Sequence, residues 1–179
     1  MSEQDNGNVR LTIEDSFKKI LSGDTLKNAL DFVAYARDAG WTNDDEYASN
    51  FYYMGEPTFV LLCFENDNSQ SDFWKKHPNG YWGIYNYPIS EREGFPLDES
   101  LKEFAHANVR ICKGECGCPN WPRGGNQTVF GKEFEGVCSS VILFQSPDAE
   151  ALEKIKKMME YWKLIIADAK NSDKPERNY

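Results

Sequence analysis

Four of the five cysteines in this 179-residue chain can be gathered into one place. Cys112, Cys116 and Cys118 fall in the run Ile-Cys-Lys-Gly-Glu-Cys-Gly-Cys-Pro, and Cys138 follows Cys118 after nineteen residues. Thiols grouped in this way bind a soft metal, pair as a disulfide, or carry redox chemistry. A structural zinc site needs four soft ligands in a tetrahedron, commonly arriving as pairs set in tight turns. Cys116-Gly117-Cys118 suits such a turn, Cys112 sits where a helix is expected to end, and Cys138 lies on an expected strand. Cys112, Cys116, Cys118 and Cys138 are therefore the candidate metal ligands, and zinc is the candidate cofactor. The spacing is not that of a zinc finger, because a Cys-x-Cys pair chelates one metal only with strain and suits copper(I) or a cluster as well. Nor does it match the usual iron–sulfur runs. Reduced structural thiols and a redox or disulfide pair both stay open as alternatives. Cys63, in an apolar run, reads as a core residue.

Other residues carry weaker signals. A cysteine nucleophile needs a base, and His106, six residues before Cys112, is the only histidine near the cysteines. No nucleophile elbow or cysteine-protease signature accompanies it, which favours a binding module over an enzyme. His77 reads as a loop residue. Trp121-Pro122-Arg123-Gly124-Gly125 is glycine-rich but lacks the lysine and serine of a phosphate loop. Glu133 and Glu135 read as solvated turn acids. The aromatics are more suggestive. Alternation along 81–87 places Tyr81, Tyr85 and Tyr87 on one face of a strand and Trp82 and Ile84 on the other. Helices fully cover only one face of a sheet, so Tyr53, Trp82, Tyr85 and Trp121 are candidate contacts for a planar or apolar small-molecule ligand. The same aromatic face is an alternative surface for a homodimer.

The totals restrict partners. Twenty lysines and arginines against 29 aspartates and glutamates give a net charge of −9. Such a field repels phosphate backbones and argues against direct nucleic-acid binding. The N-terminal Met-Ser-Glu-Gln-Asp-Asn-Gly-Asn has no signal-peptide character, and the longest apolar run, Phe59 to Phe64, is too short to span a bilayer. A cytoplasmic protein with no membrane partner is expected. In a reducing compartment, clustered cysteines favour metal or free thiols over a structural disulfide.

The elements that would position these residues follow from period and caps. Residues 1–10 and 171–179 are expected to be disordered ends around one domain, 11–170. Thr12 is placed to cap a first helix with Asp15 reaching back, and Gly23 to close it. Asp24 is placed to cap a second helix ending at Gly40, making a helical hairpin. Residues 51–54 and 58–64 read as a β-hairpin around Gly55-Glu56-Pro57, and 81–87 as a third strand. Asp98 caps a third helix running to about Val109. Residues 127–130 and 137–144 read as a further strand pair connected through 131–136. Ser146-Pro147-Asp148 reads as the start of the longest helix: cap, proline in the first position, then acid. Its inner stripe is Leu152, Ile155, Met159, Trp162 and Ile166, widened by Met158 and Ile165. The sum is an α+β fold. About five antiparallel strands carry helices mainly on one face, with an N-terminal helical hairpin and a long C-terminal helix.

The segments Phe104-Ala105-His106-Ala107-Asn108-Val109, Thr128 to Cys138 and Phe144-Gln145-Ser146-Pro147-Asp148, with the cysteine loop between them, resemble an uncharacterised bacterial domain. Gly80-Tyr81-Trp82-Gly83-Ile84-Tyr85 matches it less specifically, and the resemblance covers about residues 50–165. Members of that family are small stand-alone cytoplasmic proteins, some attached to helix-turn-helix regulators. The resemblance implies that Cys112, Cys138 and one of the loop cysteines belong together, and that the role is sensory or binding rather than catalytic. It carries over no catalytic residues. His106 departs from it, standing where the family pattern has a tryptophan.

The resulting expectation is a ligand-binding or sensory module with a cysteine cluster able to hold structural zinc. The alternatives are a thiol-dependent enzyme, redox or hydrolytic, using a loop cysteine, and an interaction protein that dimerises through its aromatic sheet face.

Overall fold

A computed structural model describes residues 12–43, 49–65, 80–86, 94–112 and 124–172. The chain enters through a capping box that starts helix α1 (Ile13–Ile20). The Asp15 N–H donates to the Thr12 hydroxyl at 3.2 Å, and the Asp15 carboxylate accepts from the Thr12 backbone at 3.4 Å. Helix α2 (Gly23–Asp38) follows after Leu21 and Ser22, completing the helical hairpin. It starts two residues before the position an Asp24 cap implies. Ser22 takes the cap position and Gly23 takes φ +56°, so this glycine turns the chain into the second helix rather than closing the first.

Seven strands follow among the described residues: β1 (Thr42–Asn43), β2 (Ser49–Tyr53), β3 (Glu56–Phe64), β4 (Tyr81–Asn86), β5 (Val109–Ile111), β6 (Gly125–Val129) and β7 (Lys132–Gln145). Helix α3 (Glu99–Ala107) precedes β5, and helix α4 (Ala149–Ser172) is last. All pairings are antiparallel, in the order β1-β2-β3-β4-β7-β5, with β6 also paired to β7. The α+β class and the antiparallel sheet agree with expectation; the strand count of about five does not. β1 and β5 have two and three residues, too few for alternation to register.

Two further expectations are corrected near the cysteines. Residues 131–136 are not a connection. Phe130 (φ 44°) and Gly131 (φ 80°) make the whole turn, and β7 runs for 14 residues beyond it. Positive φ at both central residues is the hairpin turn that matches strand twist, and Met54 and Gly55 repeat it between β2 and β3. The third helix stops at Ala107 rather than near Val109, so Cys112 follows a strand, not a helix end.

The helices pack on one face of the sheet. Phe17 of α1 meets Trp82 edge-on with ring centroids 5.6 Å apart. Phe32 of α2 lies 5.8 Å from Phe59 and 6.2 Å from Trp82, and Phe104 of α3 stacks on Phe144 at 5.1 Å. These strand residues share a face by register, since Cys63 pairs with Trp82, Leu61 with Ile84, and Ile84 with Phe144. On β3 the alternation is direct: Phe59, Leu61 and Cys63 are buried, while Val60, Leu62 and Phe64 are half-buried on the opposite face. Asp148 caps α4 by accepting from the Ala151 N–H at 2.8 Å, which places Pro147 just before the cap rather than at the first helical position. All seven residues of the expected α4 stripe are buried. The helix continues to Ser172, two residues past the expected domain end. No helix among the described residues is long and apolar enough to cross a membrane.

Candidate functional site

Val137 is paired on both edges of β7, with Ile111 of β5 on one side and Gly125 of β6 on the other. The Cys112 N–H donates to the Gly136 carbonyl at 2.7 Å, which sets Cys112 opposite Gly136, two residues along β7 from Cys138. The β5–β7 register slips between Val137 and Ile142, so Cys138 opens an irregular stretch of the strand. On the opposite edge, Gly124 approaches so closely that a Cβ there would lie 2.3 Å from the Gly136 carbonyl oxygen. The two ends of the cysteine segment, Cys112 and Gly124, thus both abut Gly136, two residues from Cys138. Cys116, Cys118 and Trp121 lie outside the described residues.

Cys63, Cys112 and Cys138 are free thiols. Cys112 and Cys138 are half-buried; Cys63 is buried on the helix side, with its Sγ 3.9 Å from the Ser16 carbonyl. Burial, then the nearby Glu65 charge, pushes the Cys63 thiol up to about 12. Below that pH the unreactive thiol is the form present. Cys63 should therefore resist iodoacetamide in the folded protein at pH 8 and label only in denaturant, as peptide mass spectrometry after timed quenching would show. Among the described residues no three His, Cys, Asp or Glu side chains are grouped to hold a metal.

The face of the sheet away from the helices carries a second cluster. Tyr81, Gly83 and Tyr85 alternate along β4 on this face, opposite Phe64, Leu62 and Val60 of β3. Tyr81 stacks on Phe64 with centroids 5.3 Å apart, and its ring edge lies 3.7 Å from where a Gly83 Cβ would be. The bare glycine leaves room for the Tyr81 ring to lean along the strand over it. Burial, then the neighbouring Tyr85, pushes the Tyr81 hydroxyl up to about 12, and Arg110 opposes the shift. Arg110 reaches across from β5: its Nη1 donates to the Tyr85 hydroxyl at 2.6 Å, and its guanidinium carbon lies 5.5 Å from the Tyr85 ring centre. Leu143 pairs with Tyr85 and lies on the path between them.

The candidate ligand contacts do not share one face. Trp82 is fully buried beneath α1 and α2. Tyr53 packs on Trp41 at 5.0 Å, and Lys163 of α4 lies 5.6 Å from its ring centre, which places it on the helix side as well. Tyr85 alone of the three described stands on the other face. His106 is also turned to the helix side. Its Nε2 is 2.8 Å from the Val129 carbonyl, which only accepts, so that nitrogen carries the proton. Its ring leans on Phe134 at 5.5 Å. Arg110 was not singled out from sequence. The signal available was alternation, because Arg110 and Cys112 fall two apart on what proves to be a strand.

No protein-family model, curated protein or solved structure matches this chain.

Proposed function

We propose that the chain is a binding or sensory module in which Cys112, Cys116, Cys118 and Cys138 hold one zinc ion and so fasten the 113–123 segment to β7. The observation that carries this reading is the convergence on Gly136. Cys112 hydrogen-bonds it from one edge and Gly124 touches it from the other, which ties both ends of the segment bearing Cys116 and Cys118 close to Cys138. A loop closed on itself in this way has already lost most of the entropy that would oppose bringing its thiols together. Cys112 and Cys138 are both free thiols, as a metal site requires. The thiol-enzyme alternative gains nothing from His106, whose contacts among the described residues are with Val129 and Phe134.

The test is metal content by mass spectrometry on protein purified without chelator, with a parallel thiol count. About one zinc per chain is expected, with the four clustered thiols protected. Because metal-binding free energy becomes folding free energy, EDTA should lower the melting temperature, by about 2–4 °C for each kcal/mol lost. Cys118→Ser should lose both the metal and the EDTA response. A Cys118→Ser protein as stable as wild type, in zinc and in EDTA alike, would end the proposal.

A further inference from the structure

We propose that Arg110, held by Tyr85 and flanked by Tyr81, binds the carboxylate of a small aromatic acid on the sheet face away from the helices. Arg110 is half-buried, and among the described residues its hydrogen bond is to the Tyr85 phenol rather than to an acid. Arg37, the other arginine among the described residues, is ion-paired with Glu14. Partly desolvating a guanidinium has a cost, which a bound carboxylate would offset. Among the described residues one of its five N–H donors is spent on Tyr85, which leaves a planar fork matched to a carboxylate. The Tyr85 contact fixes that fork before any ligand arrives, so less entropy is lost on binding.

The surroundings define the rest of the ligand. Half-buried Phe64, seated on the buried Tyr81 ring, with half-buried Val60, Leu62 and Leu143 on the same face, gives an apolar and aromatic floor beside the guanidinium. A planar ring bearing one carboxylate meets both features. The net charge of −9 disfavours a multiply charged phosphate. This inference does not depend on the cysteines holding zinc, since Arg110, Tyr85 and Tyr81 come from β5 and β4 whatever occupies the thiols.

The probe is sodium benzoate, titrated into 15N-labelled, zinc-replete protein while the Arg110 Nε–H resonance is followed. Benzyl alcohol, acetate and inorganic phosphate run alongside at matched ionic strength. A saturable shift with a Kd on the order of 1 mM is expected for a ligand of this size. Acetate should bind more weakly, and benzyl alcohol and phosphate more weakly still. Arg110→Gln should reduce benzoate affinity at least about tenfold, the loss expected when a charge-assisted pair is removed. Arg110→Lys should fail to restore it, because an ammonium lacks the fork. Tyr85→Phe should weaken it by a smaller factor while leaving the melting temperature near wild type. Should Arg110→Gln fail to fold, the wild-type Nε shift and the Tyr85→Phe affinity still decide the question. No saturable benzoate shift, benzyl alcohol or phosphate binding as tightly as benzoate, or affinity unchanged in a folded Arg110→Gln protein would each overturn the assignment.

Discussion

Trp82→Ala should cost about 3–5 kcal/mol of unfolding free energy, enough to bring a domain of ordinary stability close to its threshold. The indole is fully buried where three elements meet: Phe17 of α1, Phe32 of α2, and Cys63 paired across β3. Truncation opens a cavity that the edge-on and tilted rings around it cannot collapse to fill, since Phe32 is also engaged with Phe59. Trp82→Phe provides the informative contrast. The indole N–H is buried with no hydrogen-bond partner among the described residues, so the native state bears a desolvation cost of about 1–3 kcal/mol there. Phenylalanine removes that donor along with part of the volume, and the two effects oppose each other. Urea unfolding should therefore place Trp82→Phe within about 1–2 kcal/mol of wild type, far above Trp82→Ala. Equal losses in the two variants would mean that the N–H does serve a partner. That result would reopen Trp82 as a ligand contact rather than a core residue.

How much of this was legible beforehand follows from the length over which each signal accumulates. Helix α4 was readable because seven stripe residues agree over 24 residues, although its cap is Asp148 rather than Ser146. α1 was readable because a capping box is a two-residue pattern with a direct physical cause. β5 was not, because three residues give no period, and its position straight after Asn108 let it be read as the end of α3. The cost of that misreading fell on the candidate sites. With 109–111 read as helix, Cys112 was placed at a helix end and Arg110 had no face. Once β5 is a strand paired to β7, Arg110 points across the sheet toward Tyr85, and Cys112 hydrogen-bonds Gly136, two residues from Cys138. Alternation does separate Tyr81 and Tyr85 from Trp82 and Ile84; Tyr87, read onto the first of these faces, lies outside the described residues. Choosing the face that the helices leave uncovered was a different matter, because it depends on where the helices pack, a long-range outcome that strand periodicity does not encode. Thus Trp82 and Tyr53, plausible as ligand contacts by residue type, lie beneath helices.

Gly124→Ala is expected to be the most damaging glycine substitution near the cysteines, and its consequences reach beyond stability. Its backbone is left-handed at φ +53°, which costs an L-residue about 1–2 kcal/mol. The added methyl would also sit 2.3 Å from the Gly136 carbonyl group and 2.8 Å from its Cα. Those are backbone atoms of a paired strand, so relief requires the start of β6 to lift off β7 rather than a rotamer to change. Two neighbours separate the contributions. Gly131→Ala meets nothing within 4 Å and bears only the left-handed strain of φ +80°, so it should cost about 1–2 kcal/mol. Gly125→Ala has neither problem and should stay within about 0.5 kcal/mol of wild type. The functional readout is zinc content in the same three proteins. If the Gly124–Gly136 approach is what brings the 113–123 segment to Cys138, Gly124→Ala should lose zinc under conditions where it is still folded by circular dichroism. Gly131→Ala, strained in the same hairpin but away from the crossing, should keep it. Full zinc retention in a folded Gly124→Ala protein would show that the thiols find the metal without the glycine contact, and the convergence on Gly136 would then be packing rather than the basis of the site.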